Sequence, residues 1–447
     1  MSAPLEILLR DARVDLVLAR IEKDPSIIKE VISHLDSESR SIRFNSVYVL
    51  GELGQDSESA VAKITECLKD EDWSICRETA RALGKIGNVA KEATTELVKL
   101  LNDKEISIRK EAVIALGKIG HPSQESITGL INSLKDENED IRKEVAKALG
   151  EIGSDEYNSI SSLMKSLKDI SWAVRTESAH AISKIGKGSI KAIPTLITSL
   201  GDMDWRVRYR VMETLVQIGD AAIPNLLELL NHRKSLLRRG ALESLGELKI
   251  EDPKIINNIS QLLKDKNSHV RSKATDALRS IGKAAIPALI EAMKLGEEKE
   301  IKILILSAIG GIGLDAKDAI PAVIEELKKE IPTIRVEASH TLGKIGIGSE
   351  AASGALLEAL SDRRTKVRRE AALALGKIGS AAKLAISGLI NLLMDKKPDV
   401  RWRASEALGA IGVNTEEVIS SLNELVHDEC DYVCESAINA LDTLTEK

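Results

Sequence analysis

Aromatic side chains are scarce in this chain. Only nine of its 447 residues are Phe, Tyr or Trp, although hydrophobic residues make up 43% of the sequence. A core with so few rings must be built from Leu, Ile, Val and Ala. Such aliphatic cores are common in arrays of helical repeats, in which each repeat packs on its neighbours. The composition therefore favours a repeat array over a set of ordinary globular domains.

Cysteine, long apolar runs and an excess of basic charge are also lacking. Four cysteines (Cys67, Cys76, Cys430 and Cys434) do not make a disulfide framework in a chain of this length. The formal net charge is −6, so the chain is not a polycation of the kind that binds nucleic acid. No apolar run approaches the ~20 residues needed to span a membrane, and the first residues lack the basic start of a signal peptide. We expect a cytoplasmic protein with free thiols, no cofactor and no membrane contact.

One phrase recurs along the whole chain. Residues 367–379 read VRREAALALGKIG, and a close relative, SIRKEAVIALGKIG, ends at Gly120. Alignment on the Arg of this phrase gives thirteen copies, at Arg43, Cys76, Arg109, Arg142, Arg175, Arg208, Arg238, Arg271, Lys302, Arg335, Arg368, Arg401 and Cys434. Ten of the twelve steps are 33 residues, and the other two are 30 and 31. A fixed period of this length predicts a solenoid.

Each repeat is predicted to contain two helices joined by a turn. The first helix carries apolar residues at i, i+1 and i+4, and a first-turn proline precedes this pattern in four copies (Pro194, Pro224, Pro287 and Pro321). An Asp marks most turns. The second helix is then expected to begin at an N-cap such as Ser74, Ser107, Asp140, Thr333 or Asp399. It ends at a glycine suited to a left-handed conformation, as at Gly87, Gly120, Gly346 and Gly379. The recurring Arg is predicted to pair with turn Asp residues in a ladder along the stack.

The order of turn Asp, VR and A-x-x-A-L-G-x-I-G resembles the compact HEAT-like repeats named after phycobilisome lyases. The resemblance covers about residues 26–447, whereas the consensus phrases of ankyrin and tetratricopeptide repeats are not found. It implies an all-α solenoid. Scaffolds, chromophore lyases, a hydroxylase and DNA-binding proteins share this repeat type, so the resemblance does not choose among these functions.

Residues for catalysis or metal binding are few. The HEAT-like hydroxylases hold iron with paired His-Glu motifs, and none of the seven histidines here is followed by Glu. No Gly-rich phosphate loop, nucleophile elbow or H-E-x-x-H motif is present. His427, Cys430 and Cys434 have a spacing that would suit zinc, with Asp431 as a fourth ligand, if they shared one helix. Because a turn between helices is predicted inside this segment, we expect ordinary thiols, no metal site and no catalytic residues.

Basic residues cluster in four stretches on the predicted turns, at residues 206–210, 233–239, 363–369 and 396–403. Residues 151–400 carry a net charge of +6, between ends of −5 (residues 1–150) and −7 (residues 401–447). This pattern leaves a nucleic acid as a candidate partner. We favour a solvated surface instead, because few aromatic residues are interleaved with the basic ones.

One stripe of the second helix varies between repeats, at the positions one and five residues after the Arg. These positions point away from the predicted core. The stripe, called the variable column below, is predicted to bind a partner through Phe44, Tyr48, Arg77, Arg81, Lys110, Lys143, Tyr209, Arg239, Arg369 and Trp402. Three more aromatic residues, Trp73, Trp172 and Trp205, are predicted on the turns. Aromatic and arginine side chains outside a core are typical anchors for protein partners.

The sequence thus predicts an all-α, right-handed HEAT-like solenoid of about thirteen helix pairs. A capping helix is expected within residues 1–25, followed by the repeat array in residues 26–447. The array should be irregular around residues 183–330, where a recurring glycine is replaced by Ser183, Val216 and Arg279.

The predicted function is that of a non-catalytic scaffold or adaptor, which grips a protein on the concave surface of its second helices. Two alternatives stay open. One is a lyase- or chaperone-like helper that positions a chromophore or a modification substrate. The other is a nucleic-acid-binding solenoid that uses the central basic ridge.

Overall fold

The computed structural model describes residues 3–155, 158–295 and 298–445, and only the backbone of Lys187. The chain divides into two compact units, Met1–Asn225 and Leu226–Lys447. The described residues form α-helices and short 3₁₀ helices and contain no strand.

The first unit holds a run of short and long helices that alternate from α3 onward. Its helices are α1 (Leu5–Arg10), α2 (Val14–Lys23), α3 (Ile27–Ser33), α4 (Arg40–Glu52), α5 (Val61–Glu66), α6 (Trp73–Ile86), α7 (Thr94–Leu100), α8 (Ile106–Ile119), α9 (Gln124–Ser133), α10 (Glu139–Ile152), α11 (Ser159–Ser166), α12 (Trp172–Lys184), α13 (Ile193–Ser199) and α14 (Trp205–Ile218). Helix α15 (Ile223–Leu229) contains the boundary between the units. Short 3₁₀ helices occupy His34–Asp36, Gly54–Ala60, Cys67–Lys69, Gly87–Ala93, Gly186–Ala192 and Gly219–Ala222.

The second unit continues the same alternation. It contains α16 (Ser235–Leu248), α17 (Pro253–Gln261), α18 (Ser268–Ile281), α19 (Ile286–Leu295), α20 (Lys299–Ile312), α21 (Ile320–Leu327), α22 (Pro332–Ile345), α23 (Glu350–Ala359), α24 (Thr365–Ile378), α25 (Ile386–Leu392), α26 (Pro398–Ile411), α27 (Glu416–Leu425) and α28 (Asp431–Thr445). Its 3₁₀ helices are Leu262–Lys264, Gly282–Ala285, Gly313–Ala319 and Gly379–Ala385. The predicted all-α repeat of two helices is confirmed, and the first helix of a repeat is shorter than the second.

The N-terminal segment differs from the prediction of one capping helix. Two short helices, α1 and α2, are separated at Ala12, which has a φ of 54°. A residue with positive φ cannot continue a right-handed helix. The amide of Asn45 on α4 donates to the carbonyl oxygen of Leu9 at 2.7 Å, and this bond satisfies an acceptor at the end of α1.

The second helices pack closely because small residues face each other between repeats. On α8 the core positions Ile108, Ala112, Ala115, Leu116 and Ile119 are buried as predicted. A methyl group placed on Gly117 would lie 2.9 Å from Cβ and 3.0 Å from Cα of Ala148 on α10. Glycine is therefore required at this position by the approach of the next helix rather than by its own backbone angle.

The ends of the second helices correct two details of the prediction. The five second helices with a predicted N-cap begin before that residue. Helix α6, for example, begins at Trp73, and Asp72 caps it by accepting the N–H of Ser74 at 2.8 Å. Ser74, Ser107, Asp140, Thr333 and Asp399 all lie inside the first turn of their helices. At the other end Gly87, Gly120 and Gly379 have positive φ as predicted, but Gly346 has a φ of −91°. There the chain reverses at Gly348, whose φ is 77°.

The recurring Arg forms the predicted ladder. Arg142 donates through Nε and Nη2 to both carboxylate oxygens of Asp169, at 2.8 and 2.9 Å. Its Nη1 donates to the carbonyl oxygen of Asp136 at 2.9 Å, and Asp169 also accepts the N–H of Ser171 at 2.8 Å. One carboxylate thus closes its own turn and ties it to the preceding repeat. The same bidentate pairing joins Arg43–Asp70, Arg109–Asp136, Arg175–Asp202, Arg238–Asp265, Arg335–Asp362, Arg368–Asp395 and Arg401–Asp428.

Other copies at the Arg position make different bonds. The thiol of Cys76 donates to the carbonyl oxygen of Leu68, and Arg208 and Arg271 donate to carbonyl oxygens of their own turns. Lys302 forms a buried ion pair with Glu326 at 2.7 Å. Arg208, Arg271 and Lys302 lie within the stretch that the sequence predicts to be irregular.

One stretch of the described residues, Thr365–Leu392, is long and apolar enough to cross a membrane by length and composition. The sequence was expected to contain no such stretch. In the structure this stretch is divided at Gly379, whose φ is 73°, into α24 and the first helix of the next repeat. Val367, Leu375 and Leu389 of this stretch are buried in the repeat core. Core helices pass the same test, so the stretch is accounted for by repeat packing.

Candidate functional site on the second helices

The side chains of the variable column lie outside the core. Tyr209 and Arg81 are exposed. The other eight predicted residues, Phe44, Tyr48, Arg77, Lys110, Lys143, Arg239, Arg369 and Trp402, are half-buried. All ten residues are on second helices. Their spacing from the core positions places them on the opposite side of each helix. In each unit, therefore, the column contributes to the accessible surface.

Some column side chains are already engaged within their own unit. The ammonium of Lys85 lies 5.2 Å from the centre of the Tyr48 ring. Arg81 lies 3.8 Å from the buried carboxylate of Glu78, and Arg369 lies 3.9 Å from Asp399. Burial raises the pKa of Glu78, and the nearby Arg81 opposes that shift. These contacts orient the column without burying it.

The three predicted turn tryptophans are the first residues of second helices. Trp73 begins α6, Trp172 begins α12 and Trp205 begins α14, and all three are exposed. The guanidinium of Arg77 lies 5.2 Å from the Trp73 ring centre. The guanidinium of Arg206 lies 3.4 Å from the Trp172 ring centre, so it covers a tryptophan of the preceding repeat.

Sequence reasoning missed two apolar neighbours of these tryptophans. Ile170 and Met203 are 93% and 95% exposed, at the tips of the turns that precede α12 and α14. These two residues and the exposed Trp172 and Trp205 lie on two successive turns and are called the turn patch below. The signal was present in the sequence, since each residue directly follows a turn Asp where most copies carry a charged residue. Exposed apolar groups of this size that cluster together mark interaction sites.

Arg206 links the two halves of the turn patch. It forms an ion pair with Asp204 at 2.7 Å while its guanidinium is stacked on Trp172. The hydrogen bond from Arg206 lowers the pKa of Asp204 to about 2, so the carboxylate is ionised at neutral pH. The patch therefore combines two exposed rings, two aliphatic side chains and one ion pair.

A groove between α26 and α28 contains the other large aromatic contact. The rings of Trp402 and Tyr432 meet edge to face, with centres 5.8 Å apart and planes at 81°. The groove has a volume of about 450 Å³ and is lined by Trp402, Glu406, Tyr432, Glu435 and Asn439 among others. Sequence reasoning missed Tyr432, which lies two residues before Cys434 and is aligned with no other aromatic residue of the repeats.

Six of the twelve arginines in the basic stretches are bonded to carboxylates. Arg206 is paired with Asp204, Arg210 with Glu213 and Arg403 with Glu406, and Arg238, Arg368 and Arg401 belong to the ladder. A guanidinium that is already held by a carboxylate offers fewer free donors to a phosphate. The pairing weakens the case for a nucleic-acid surface.

The cysteines lie in settings that suppress nucleophilic chemistry. Burial raises the pKa of Cys67 and of Cys76 to about 11, so both thiols are neutral at pH 7. Cys430 precedes α28 whereas Cys434 lies inside it, with its thiol donating to the carbonyl oxygen of Asp428 at 3.0 Å. Within the part of the chain that the structure describes, no three His, Cys, Asp or Glu side chains are arranged to hold a metal.

The fold defines an all-α repeat protein whose second helices carry exposed side chains. A family model described as HEAT repeats matches residues 12–83, 61–128, 127–202, 160–246, 223–310, 286–363 and 353–442. The chain therefore belongs to the HEAT-repeat family. No curated protein sequence matches it significantly.

Solved structures of Kap121p share this fold. Kap121p bound to Ste12p matches with a TM-score of 0.60 and 14% identity, over 100% of this chain and 58% of that chain. Kap121p bound to Nup53p matches with a TM-score of 0.58 and 16% identity, over 95% of this chain and 53% of that chain. The chain thus spans little more than half the length of these proteins, and at such low identity the likeness concerns the fold alone.

Proposed function

We propose that this protein is a non-catalytic scaffold or adaptor that binds a protein partner on its second helices and on the turns before them. The observation that carries the proposal is the placement of the rings. The chain has nine aromatic residues, and Trp73, Trp172, Trp205 and Tyr209 among them are exposed rather than spent on the core. An aliphatic solenoid has no structural need for rings at its surface.

The physical basis is the area that these side chains can bury. A buried ring removes 150–250 Å² from water, and about 25 cal/mol is gained per Å² of apolar area. The turn patch alone offers two tryptophans beside two almost fully exposed aliphatic side chains. Binding hot spots are enriched in Trp, Tyr and Arg, the residue types that recur in the variable column.

The fold neighbours support the same class of function. Kap121p has been solved in complexes with Ste12p, Nup53p and RanGTP. These partners belong to Kap121p, and they support our proposal only by showing that a chain of this fold can bind proteins. Nucleic-acid binding is the weaker alternative because carboxylates already hold half of the arginines in the basic stretches. No contact among the described residues favours the chromophore helper.

The proposal is tested by site-specific photo-cross-linking in extracts of the source cell. A photo-reactive benzoylphenylalanine replaces Tyr209 in one variant and Lys99, an exposed residue of the first helix α7, in the matched control. We expect a defined cross-linked protein from position 209 and none, or a weaker band, from position 99. Equal cross-linking at both positions, or none at either, would contradict a binding face on the second helices.

Stability serves as the control for the column variants. Because Tyr209 is 53% exposed, Tyr209→Ala should change the free energy of unfolding by no more than about 1 kcal/mol. A loss of cross-linking at a neighbouring column position in this variant would then report lost contact with the partner. A large loss of stability would instead assign Tyr209 to packing.

A further inference from the structure

The groove between α26 and α28, called the C-terminal groove below, has walls of two chemical kinds. The rings of Trp402 and Tyr432 form one end, and the carboxylates of Glu406 and Glu435 lie along the two helices. The groove lining continues along α28 from Tyr432 to Thr443. At 1.5 Å per residue this is about 16 Å, the length of an extended segment of about five residues.

Next to the groove, one arginine of the unit already contacts both kinds of group. The guanidinium of Arg403 lies 3.7 Å from the centre of the Trp402 ring and donates from Nη1 to Glu406 at 2.6 Å. Arg403 does not line the groove, so the groove side of the tryptophan is not taken by it. An indole next to a carboxylate attracts a planar cation through the ring quadrupole and through charge-assisted hydrogen bonds.

The remaining carboxylate of the groove is available for a second cation. Glu435 is exposed, and within residues 298–445 no Lys, Arg or His nitrogen lies within salt-bridge distance of it. The surrounding segment is strongly acidic, with ten acidic and three basic residues in 401–447. The negative charge of this segment raises the local concentration of a basic partner.

We infer that the C-terminal groove receives an arginine side chain from a protein partner, with the guanidinium against Trp402 and Tyr432 and bonded to Glu435. The inference rests on the proposed function and specifies the chemistry of the partner at one place. Arginine fits better than lysine because its flat guanidinium can stack on a ring and bond a carboxylate in the same plane. The occupant is thus a basic segment of a protein, in an extended conformation.

The test uses the full chain and a fluorescein-labelled peptide of alternating glycine and arginine, followed by fluorescence anisotropy. The matched probe replaces arginine by citrulline, which keeps the shape and loses the charge. We expect the citrulline peptide to bind at least about tenfold more weakly, and Trp402→Ala and Glu435→Gln each to weaken binding of the arginine peptide by about three- to tenfold.

The control variant is Glu424→Gln, which removes the same charge from the exposed side of the first helix α27. We expect it to leave the affinity within about 1.5-fold of the unchanged chain. If Glu424→Gln and Glu435→Gln lost equal affinity for the arginine peptide, the attraction would be to the acidic surface in general. That result would contradict binding in the groove. Equal affinity for the arginine and citrulline peptides would contradict the recognition of a guanidinium group.

The outcomes also separate this inference from the proposed function. If the groove variants leave peptide binding unchanged while cross-linking from position 209 still captures a protein, the inference fails and the scaffold proposal stands. If cross-linking fails at position 209 as well, both fail. Melting temperatures of Trp402→Ala and Glu435→Gln within about 2 °C of the unchanged chain would exclude unfolding as the cause.

Discussion

Arg401 grips Asp428 of the following repeat with two hydrogen bonds, from Nε to Oδ2 at 2.6 Å and from Nη2 to Oδ1 at 2.7 Å. The two side chains are only 9% and 6% exposed, and Nη1 of Arg401 also donates to the carbonyl oxygen of Asp395 at 2.9 Å. One guanidinium therefore ties two consecutive turns together. Because the pair is shielded from water, removal of either partner leaves an uncompensated charge.

Arg401→Ala is expected to destabilise the second unit strongly. Loss of one partner from a buried ion pair costs about 3 kcal/mol or more. The matched control is Lys328→Ala, which breaks the exposed pair between Lys328 and Glu325 and should cost less than about 1 kcal/mol. Urea unfolding followed by circular dichroism measures both. A similar loss of unfolding free energy in the two variants would show that the ladder pair stabilises the unit no more than an exposed ion pair does.

The same pair makes stability depend on pH in the acid range. The hydrogen bonds from Arg401 hold the pKa of Asp428 below its ordinary value of 3.8. A lowered pKa in the folded state means that the stabilisation is complete above pH 4 and is lost as the pH falls toward the lowered pKa.

In Asp428→Asn this contribution is absent at every pH. We therefore expect the difference in unfolding free energy between the unchanged chain and Asp428→Asn to be large at pH 7 and to shrink at pH 3. Unfolding in urea at the two pH values measures it. If the difference in unfolding free energy were the same at both pH values, it could not come from an ionised Asp428 bound to Arg401.

Two glycines eleven residues apart, Gly343 and Gly354, should respond to alanine in opposite directions. A methyl group on Gly343 would lie 2.9 Å from Cα of Ala374 on the neighbouring second helix, whereas nothing lies within 4 Å of one placed on Gly354. Gly343→Ala should therefore cost about 1–3 kcal/mol through overpacking. Gly354→Ala, inside α23, should stabilise by about 0.5–1 kcal/mol because alanine favours the helix. Thermal melting of both variants tests this, and destabilisation by both would contradict it.

The thiols of the C-terminal repeat are expected to act as ordinary cysteines. Cys430 and Cys434 are separated by the start of α28, and the Cys434 thiol is engaged with the backbone of the turn. Purified protein should therefore contain no stoichiometric zinc, and Cys430→Ser should leave the melting temperature nearly unchanged. Elemental analysis of the intact chain and of Cys430→Ser checks both points. One zinc per chain that disappears in the variant would overturn this prediction.

The repeat itself could be predicted from the sequence because its determinants are local and periodic. The spacing of Ile108, Ala112 and Leu116 places them on one side of a helix whatever lies opposite, and all three are buried. The partner of Arg142 could also be predicted, since a fixed period places each turn Asp beside the preceding Arg. For the same reason the HEAT-repeat family could be recognised from the residues alone.

Helix ends were predicted less accurately. The expected N-cap Ser74 lies inside α6 because Asp72, two residues earlier, offers a carboxylate to the first free N–H groups. Gly346 was expected to have positive φ, yet the reversal falls at Gly348. In each case two nearby residues suit the N-cap or the glycine with positive φ. The packing of the turn decides which of the two takes that place.

What the sequence by itself determined is the architecture: a period, a core on one side of each helix, and an ion-pair ladder. Only the tertiary structure decided which side chains of successive repeats meet at the surface. Arg206 covers Trp172, and Tyr432 meets Trp402, although about 30 residues separate the members of each pair. Such contacts depend on the offset and rotation between neighbouring helices, which the close packing of small residues such as Gly409 against Ala440 fixes. The period of the sequence shows that each repeat packs on the next one. The packing of the core decides which surface side chains of the two repeats come into contact.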